Sequence, residues 1–189
     1  LKINGGLRRI SYYSSKNKYD FEEKFLRKIH LTKQKFYLDL INQGKVSLKV
    51  GVYRLIKELM ERNIKQYVIT SSSKSQVRAL MNNLFKEFNP FEFFITSEDV
   101  EFHKPSPLPY LKAISKSGIN PKNLIVFEDS NPGLESAIAA NLPTIFVPSN
   151  IPIELNKNLN VKCIVDTIGD VNNNSIVVKG DFFLTSVTQ

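Results

Sequence analysis

Residues 123–149 read NLIVFEDSNPGLESAIAANLPTIFVPS, and they contain two short apolar runs separated by a helical pattern. The runs at 123–129 and 143–149 have the length of buried strands, and the spacing between them predicts a helix over 131–141. A strand, a helix and a second strand in this order are typical of a βαβ unit, in which the two strands are parallel. The sequence therefore predicts an α/β fold.

The same alternation extends upstream and downstream of this unit. The pattern predicts further strands at QYVIT (66–70), EFFIT (92–96) and VKCIVD (161–166), and further helices at 52–63, 74–87 and 107–117. Strands that are apolar throughout belong to parallel sheets with both faces covered by helices. We therefore expect a Rossmann-like parallel sheet core over 48–189.

The first 47 residues have a different pattern. Apolar residues at helical spacing predict two short amphipathic helices, at 19–30 and 32–43. The stretch at Lys45–Lys49 is a candidate hinge between this helical piece and the α/β core.

Composition narrows the classes of protein. With 42% hydrophobic residues, the chain is globular rather than disordered. Its single cysteine, Cys163, excludes an internal disulfide and argues against a zinc site, so a reducing, cytoplasmic compartment is expected. No apolar run approaches the roughly 20 residues that a transmembrane helix needs.

The positive charge is concentrated in the N-terminal third. The net charge is +8, and residues 1–63 carry 15 Lys and Arg against 6 Asp and Glu. Such a segment could bind nucleic acid, a membrane surface or a small anion, or it could be a solvated basic face. No recognition-helix, RRM-like or zinc-finger signature is present, so we expect no nucleic-acid partner and no membrane partner.

The first candidate site follows the strand at 66–70. In an open α/β sheet, ligands bind beyond the carboxyl ends of the strands. Thr70, Ser71 and Ser72 stand there, just before a predicted helix, where hydroxyls and free backbone N–H groups can bind an anion. Simple N-capping by Ser72 or Ser73 explains the same residues equally well.

The second candidate site follows the strand at 123–129, which ends in Glu128 and Asp129. Two adjacent acids at the end of an apolar strand suit Mg²⁺, which takes one or two carboxylates together with waters and phosphate oxygens. The alternative is that Asp129 or Ser130 caps the following helix.

The third candidate is Lys104, in the stretch EFHKPSPLPY. Pro105 and Pro107 stiffen this stretch and so restrict where the ammonium group can point. A lysine held in this way beside two acids could neutralise a phosphate, although a surface lysine in a proline-rich turn is the commoner case.

The order of these groups resembles the haloacid dehalogenase superfamily of phosphatases and phosphomutases. Its second, third and fourth motifs are similar to VITSSSK (68–74), HKPSPLPY (103–110) and VFEDSNPGLESAIAAN (126–141). The stretch at 30–59 is similar to the end of the helical cap and its return to the core. The resemblance thus predicts a partial helical cap over 1–47. Within the superfamily the chain looks most like the CbbY-like branch, with the β-phosphoglucomutase branch as its neighbour.

The resemblance implies an Mg²⁺-dependent phosphatase that acts on a phosphorylated sugar through an aspartyl-phosphate. It gives catalytic roles to Thr70 and Lys104, and metal binding to Glu128 and Asp129. Substrate binding falls to Ser71, Ser72, Lys33, Gly5 and Gly6. The β-phosphoglucomutase branch has a phosphate-binding arginine where Gly6 stands here, which favours a phosphatase over a mutase.

One motif of the superfamily is absent. No Asp-x-Asp, which would supply the nucleophile and the acid/base, occurs in the sequence. The expectation is that an N-terminal segment with the central strand is missing and that the chain as given is inactive. The alternative is a pseudo-enzyme that binds a sugar phosphate or a protein partner. The natural sugar and the oligomeric state stay open.

Overall fold

The structure is a computed structural model, which describes residues 6–148, 163–169 and 177–179. The helices are α1 (Gly6–Lys16), α2 (Glu23–Asn42), α3 (Val52–Glu61), α4 (Lys74–Leu84), α5 (Leu108–Ser117) and α6 (Asn131–Ala139). The strands are β1 (Tyr67–Ile69), β2 (Phe93–Ile95), β3 (Val126–Glu128), β4 (Thr144–Phe146), β5 (Cys163–Val165) and β6 (Val177–Lys179). Gly5 and the predicted strand positions 149 and 161–162 lie outside the described residues. No described helix is long and apolar enough to cross a membrane.

The chain divides into two compact units. One comprises Leu1–Ser47 and Ser71–Asn89, and the other comprises Leu48–Thr70 and Pro90–Gln189. The boundary at Ser47 falls within the predicted hinge. The assignment of 1–47 to a cap and of 48–189 to a core stays a prediction, and residues 71–89 group with the first unit.

In the first unit, the number of helices predicted between residues 19 and 43 was wrong. Instead of two helices at 19–30 and 32–43, a single helix α2 runs from Glu23 to Asn42. The sequence has no Gly or Pro in this range that would end a helix, and Leu31 at the predicted break is 63% exposed. The gap in the apolar stripe is thus a solvent-facing turn within one helix.

Helix α1 is not among the predicted helices. Its sequence, GLRRISYYSSK, contains Gly, Ser and Tyr, whose helix propensities are modest. Packing against α2 stabilises it instead, since a Cβ built on Gly6 would overlap the ring of His30. The spacing of Leu7, Ile10 and the buried Ser14 is the signal that could have predicted this helix.

In the second unit, the described strands form two sheets. Strand β1 pairs parallel with β2, and Ile69 lies opposite Ile95. The second sheet has the order β3-β4-β5-β6, in which β3, β4 and β5 are parallel. No pairing between β1 and β3 joins the two sheets in the described part of the chain.

Strand β6 is not among the predicted strands, and it runs antiparallel to β5. Fewer than a dozen residues separate Val165 from Val177. A parallel crossover needs a dozen or more residues, so the short link favours the antiparallel arrangement. The α/β class of the fold is nevertheless confirmed.

The core of the second unit lies between the sheets and the helices that follow their strands. One cluster joins Tyr110 of α5 to Ala137 of α6 and to Ala140 and Leu142, which follow that helix. Another joins Leu134 to Phe146 and Ile164 on β4 and β5. Because both clusters include a residue of α6, this helix packs against α5 and against strands β4 and β5.

Helix α3 is anchored to the turn after β5. Gly51 precedes α3 with φ +80° and approaches the backbone of Gly169 so closely that a Cβ would overlap it. The Arg54 guanidinium donates to the carbonyl oxygens of Ile168 (3.3 Å) and Gly169 (3.1 Å). The start of α3 is therefore held against this turn by a close backbone contact and by the charged side chain of Arg54.

Candidate active site

Lys104 lies in a buried ion pair with Glu128. Its Nζ atom contacts Glu128 Oε1, and the two side chains are only 10% and 6% exposed. The same ammonium group donates to the carbonyl oxygen of Ile69 over 2.9 Å. Lys104 thus joins the carboxyl ends of β1 and β3, although these strands do not pair with each other.

The loop that carries Lys104 is fixed from two sides. Pro105 and Pro107 restrict its backbone, as the sequence indicates. In addition, the hydroxyl of Ser136, a fully buried residue of α6, donates to the carbonyl oxygen of Ser106 over 2.6 Å. The lysine is therefore held in place by the helix that follows Glu128.

Tyr110 is a third member of this cluster. Its hydroxyl donates to Glu128 Oε1 and lies 3.4 Å from Lys104 Nζ. Burial raises the pKa of Tyr110 well above its usual value, and the negative charge of Glu128 raises it further. The phenol is therefore a neutral hydrogen-bond donor at every physiological pH.

The turn after β3 decides between the two interpretations of Glu128, Asp129 and Ser130. Ser130 caps α6, because its Oγ accepts a hydrogen bond from the Gly133 N–H over 3.2 Å. Gly133 also makes room for Glu128, since a Cβ there would overlap the Glu128 carboxylate.

Asp129 is more exposed than Glu128 and lies beside Lys49. Its Oδ2 atom accepts from Lys49 Nζ over 3.0 Å, and the two side chains are 55% and 47% exposed. Lys49 belongs to the predicted hinge segment. The two adjacent acids thus differ: Glu128 is buried against Lys104 and Tyr110, and Asp129 is accessible beside a surface lysine.

The predicted hydroxyl residues lie at and after the end of β1. The Thr70 backbone N–H donates to the carbonyl oxygen of Ile95 over 2.8 Å, and its side chain is half-buried. Ser71 is exposed and Ser72 is half-buried, and both belong to the first unit. Ser73, rather than Ser72, caps α4, in a reciprocal arrangement with Gln76.

The predicted substrate-binding residues of the first unit lie on α1 and α2. Gly6 is the first residue of α1 and contacts His30. Lys33 is an exposed residue of α2 that lines an open groove with Phe25, Lys28, Ile29, Thr32 and Phe36. Burial, and secondly the charge of Lys33, lower the pKa of His30.

Two carboxylates, those of Glu128 and Asp129, lie at the end of β3 as candidate ligands of Mg²⁺. In the described residues no group of three or more His, Cys, Asp or Glu side chains could hold a metal ion. Glu128 and Asp129 are nevertheless adjacent carboxylates, and Mg²⁺ commonly takes one or two carboxylates and completes its shell with waters and phosphate oxygens. The residues present therefore fit a part of a magnesium shell.

Sequence reasoning missed two residues of the candidate site, Tyr110 and Lys49. Tyr110 is part of the quoted motif HKPSPLPY, seven residues after His103, but its hydroxyl was given no role. A tyrosine that directly follows the third of three spaced prolines, in the first turn of a helix, is the signal that was available. Lys49 had no such signal, because its partner Asp129 lies 80 residues further along the chain.

Comparison with known proteins identifies the family to which this chain belongs. Residues 3–147 match the sequence model of the haloacid dehalogenase-like hydrolases, and the chain belongs to this family. The protein CbbY of Rhodobacter capsulatus is 29% identical over 151 residues, which cover 79% of this chain and 66% of the relative. The recognised resemblance is thereby confirmed.

Solved structures show the same fold. A CbbY mutant from Rhodobacter sphaeroides, in complex with xylulose-(1,5)bisphosphate, has 26% sequence identity and a TM-score of 0.77 over 89% of this chain and 75% of that one. A β-phosphoglucomutase from Clostridium difficile has 23% identity and a TM-score of 0.64 over 85% of this chain and 71% of that one, and this likeness concerns the fold alone. The chain spans two thirds or less of the curated relatives that it matches.

Proposed function

We propose that the protein containing this chain is an Mg²⁺-dependent phosphatase that acts on a phosphorylated sugar. The observation that carries the proposal is the convergence of Lys104, Glu128 and the carboxyl end of β1, whose residues are 24 and 35 positions apart from Lys104 along the chain. CbbY, which is 26% identical to this chain, has been solved with xylulose-(1,5)bisphosphate, a doubly phosphorylated sugar.

The burial of the Lys104–Glu128 pair supports a functional role. Two charges removed from water lose hydration energy that their attraction often does not recover, so a buried ion pair is weak support for stability. The pair lies at the carboxyl ends of β1 and β3. In α/β proteins, ligands bind at these ends of parallel strands. Lys104 then supplies a fixed positive charge to a phosphoryl group, and such preorganised charge is a large term in catalysis.

The remaining roles follow the family motifs. Asp129 and Glu128 would hold Mg²⁺, which would offset negative charge on the phosphoryl group. Thr70 and the Ser71 backbone would bind a phosphoryl oxygen, and Ser72, Gly5, Gly6 and Lys33 would contact the substrate. We assign the nucleophile of an aspartyl-phosphate to no residue of this chain, because its sequence lacks Asp-x-Asp.

That absence favours one second candidate, a non-catalytic protein that binds a sugar phosphate or a protein partner. The two candidates differ in turnover. A pseudo-enzyme would bind a sugar bisphosphate without releasing phosphate, whereas the phosphatase would release it.

The test uses the protein encoded by the full reading frame that contains these residues. We expect phosphate release from sugar bisphosphates that requires Mg²⁺, and loss of that release in Asp129→Ala. Lys104→Ala should lower kcat by about 10²–10³, the usual effect of removing one transition-state charge partner.

Lys122→Ala is the matched control, since Lys122 is an exposed lysine of the same unit, and it should retain the parent rate. Full activity of Lys104→Ala would show that the site is wrongly assigned. Substrate binding without any Mg²⁺-dependent release would replace the phosphatase by the pseudo-enzyme.

A further inference from the structure

The hydroxyl of Tyr110 contacts both members of the buried ion pair, and the proposed function gives it no role. It donates to Glu128 Oε1, the oxygen that also contacts Lys104, and it lies 3.4 Å from Lys104 Nζ. Tyr110 is 3% exposed and Glu128 is 7% exposed. Two donors, one from the loop before α5 and one from α5 itself, therefore converge on a single carboxylate oxygen.

This convergence restricts how the Glu128 carboxylate can turn. A carboxylate oxygen with one donor leaves the group free to rotate about the Cγ–Cδ bond, whereas two donors from separate backbone positions define its plane. The other carboxylate oxygen lies against Gly133 at the start of α6. The orientation of Glu128 is thus determined by three segments of the second unit.

The position of the Tyr110 hydroxyl is in turn determined by the core. The ring packs with Ala137, Ala140 and Leu142 in a buried cluster. Because close packing leaves such a ring few alternative positions, the hydroxyl is held where the Glu128 carboxylate needs a donor. The phenol thereby couples the packing of α5 on α6 to the end of β3.

We propose that Tyr110 is a positioning residue for the candidate cation site. Its hydroxyl holds Glu128 in the orientation in which this carboxylate and the adjacent Asp129 offer oxygens to one divalent cation. Tyr110 acts through Glu128 and contacts neither cation nor substrate. The inference rests on the proposed function for the assignment of Glu128 and Asp129 to the cation site.

The first measurement is the affinity of the chain for Mn²⁺, a paramagnetic probe for magnesium sites, by electron paramagnetic resonance. Tyr110→Phe keeps the ring and removes the hydroxyl, and it should weaken Mn²⁺ binding by about 10-fold, as expected for loss of a hydrogen bond to a charged group. Tyr67→Phe is the control, because its ring packs on Phe93 of β2 and it removes a phenol hydroxyl from the same unit. Equal Mn²⁺ affinity of the parent and Tyr110→Phe would overturn the inference, even if the melting temperature falls.

The second measurement needs no metal and separates the inference from the proposed function. The carboxyl ¹³C resonance of Glu128, assigned by its loss in Glu128→Gln, should shift in Tyr110→Phe and stay in place in Tyr67→Phe. Absence of Mn²⁺ binding by the parent would end the metal assignment in the proposed function. An unshifted Glu128 resonance in Tyr110→Phe would show that the phenol does not position this carboxylate.

Discussion

Single residues at the end of β3 determine what the candidate site can do. Glu128 and Asp129 are neighbours in sequence, yet one is buried with Lys104 and the other is half exposed beside Lys49. The sequence showed both acids, but it gave no indication of which lysine each would contact.

Gly133 makes a testable contribution at this scale. Gly133→Ala places a Cβ on the Glu128 carboxylate, and we expect a loss of about 1–3 kcal/mol in the free energy of unfolding, as for overpacking, together with weaker Mn²⁺ binding. Urea denaturation and the Mn²⁺ titration measure the two effects.

The control for this substitution is Gly44→Ala. Gly44 has φ +67° and no atom within 4 Å of a built Cβ. The substitution should cost about 1–2 kcal/mol through backbone strain alone and leave Mn²⁺ affinity unchanged. Unaltered Mn²⁺ binding in Gly133→Ala would contradict the proposed relation between Gly133 and the site.

The proposed cation would compete with Lys49 for Asp129. Because the pair is about half exposed on both sides, its contribution to stability is small, on the order of 0.2–1 kcal/mol. Lys49→Met should therefore change the unfolding free energy little and raise Mg²⁺ affinity by about 1.5- to 5-fold, the same energy expressed as a binding ratio. Isothermal titration calorimetry measures this ratio, and a lower affinity in Lys49→Met would show that the lysine assists the cation instead.

At the scale of elements, helices that follow strands were the easiest to predict. Starts at Val52, Lys74 and Asn131 agree with the sequence pattern, since caps and apolar spacing are local signals. Helix α1 was missed, because its stability comes from packing against α2. The break predicted within α2 was wrong, because a gap in the apolar stripe does not end a helix that lacks a Gly or Pro.

The contact between α1 and α2 predicts a pH dependence of stability. Burial and Lys33 lower the pKa of His30 below its ordinary value of 6.5, so the unfolded chain binds the proton more readily than the folded one. The stability that depends on neutral His30 is fully present above pH 6.5 and is lost as the pH falls below it. The melting temperature of the chain should therefore fall between pH 7.5 and pH 5.5, as these two values lie about one unit either side of that pKa.

Two variants isolate the contribution of His30. His30→Gln should reduce the dependence of the melting temperature on pH. His103→Gln should retain it, because His103 is exposed in a loop of the other unit. If both variants show the same slope as the parent, His30 does not contribute to it.

At the scale of the whole molecule, the described strands form two sheets, each with edges that do not pair. Strand β3 is an edge of its sheet. Ile125, which precedes this strand, is 53% exposed, and Phe127, which belongs to it, is 41% exposed. Parallel strands are usually covered on both faces, and exposed apolar edges associate with other chains. These features predict that the chain by itself self-associates.

Sedimentation velocity over a range of chain concentrations tests this prediction. Phe127→Gln should shift the distribution towards the monomer. Phe102→Gln should leave it unchanged, since Phe102 is 59% exposed but lies in a loop outside the sheets. If the parent is monomeric at all concentrations, the β3 edge does not mediate self-association.

The sequence by itself determined the α/β class, the order of most helices and strands and the family motifs, because periodicity, capping and turn residues act over a few neighbouring positions. It also indicated Lys104, Glu128 and Asp129 as candidates. Only the tertiary structure decided that Tyr110 joins Lys104 on Glu128, that Lys49 pairs with Asp129 and that Ser130 is the cap. The physical reason is that burial and hydrogen bonding depend on which distant segments of the chain come into contact. No local sequence pattern specifies those contacts.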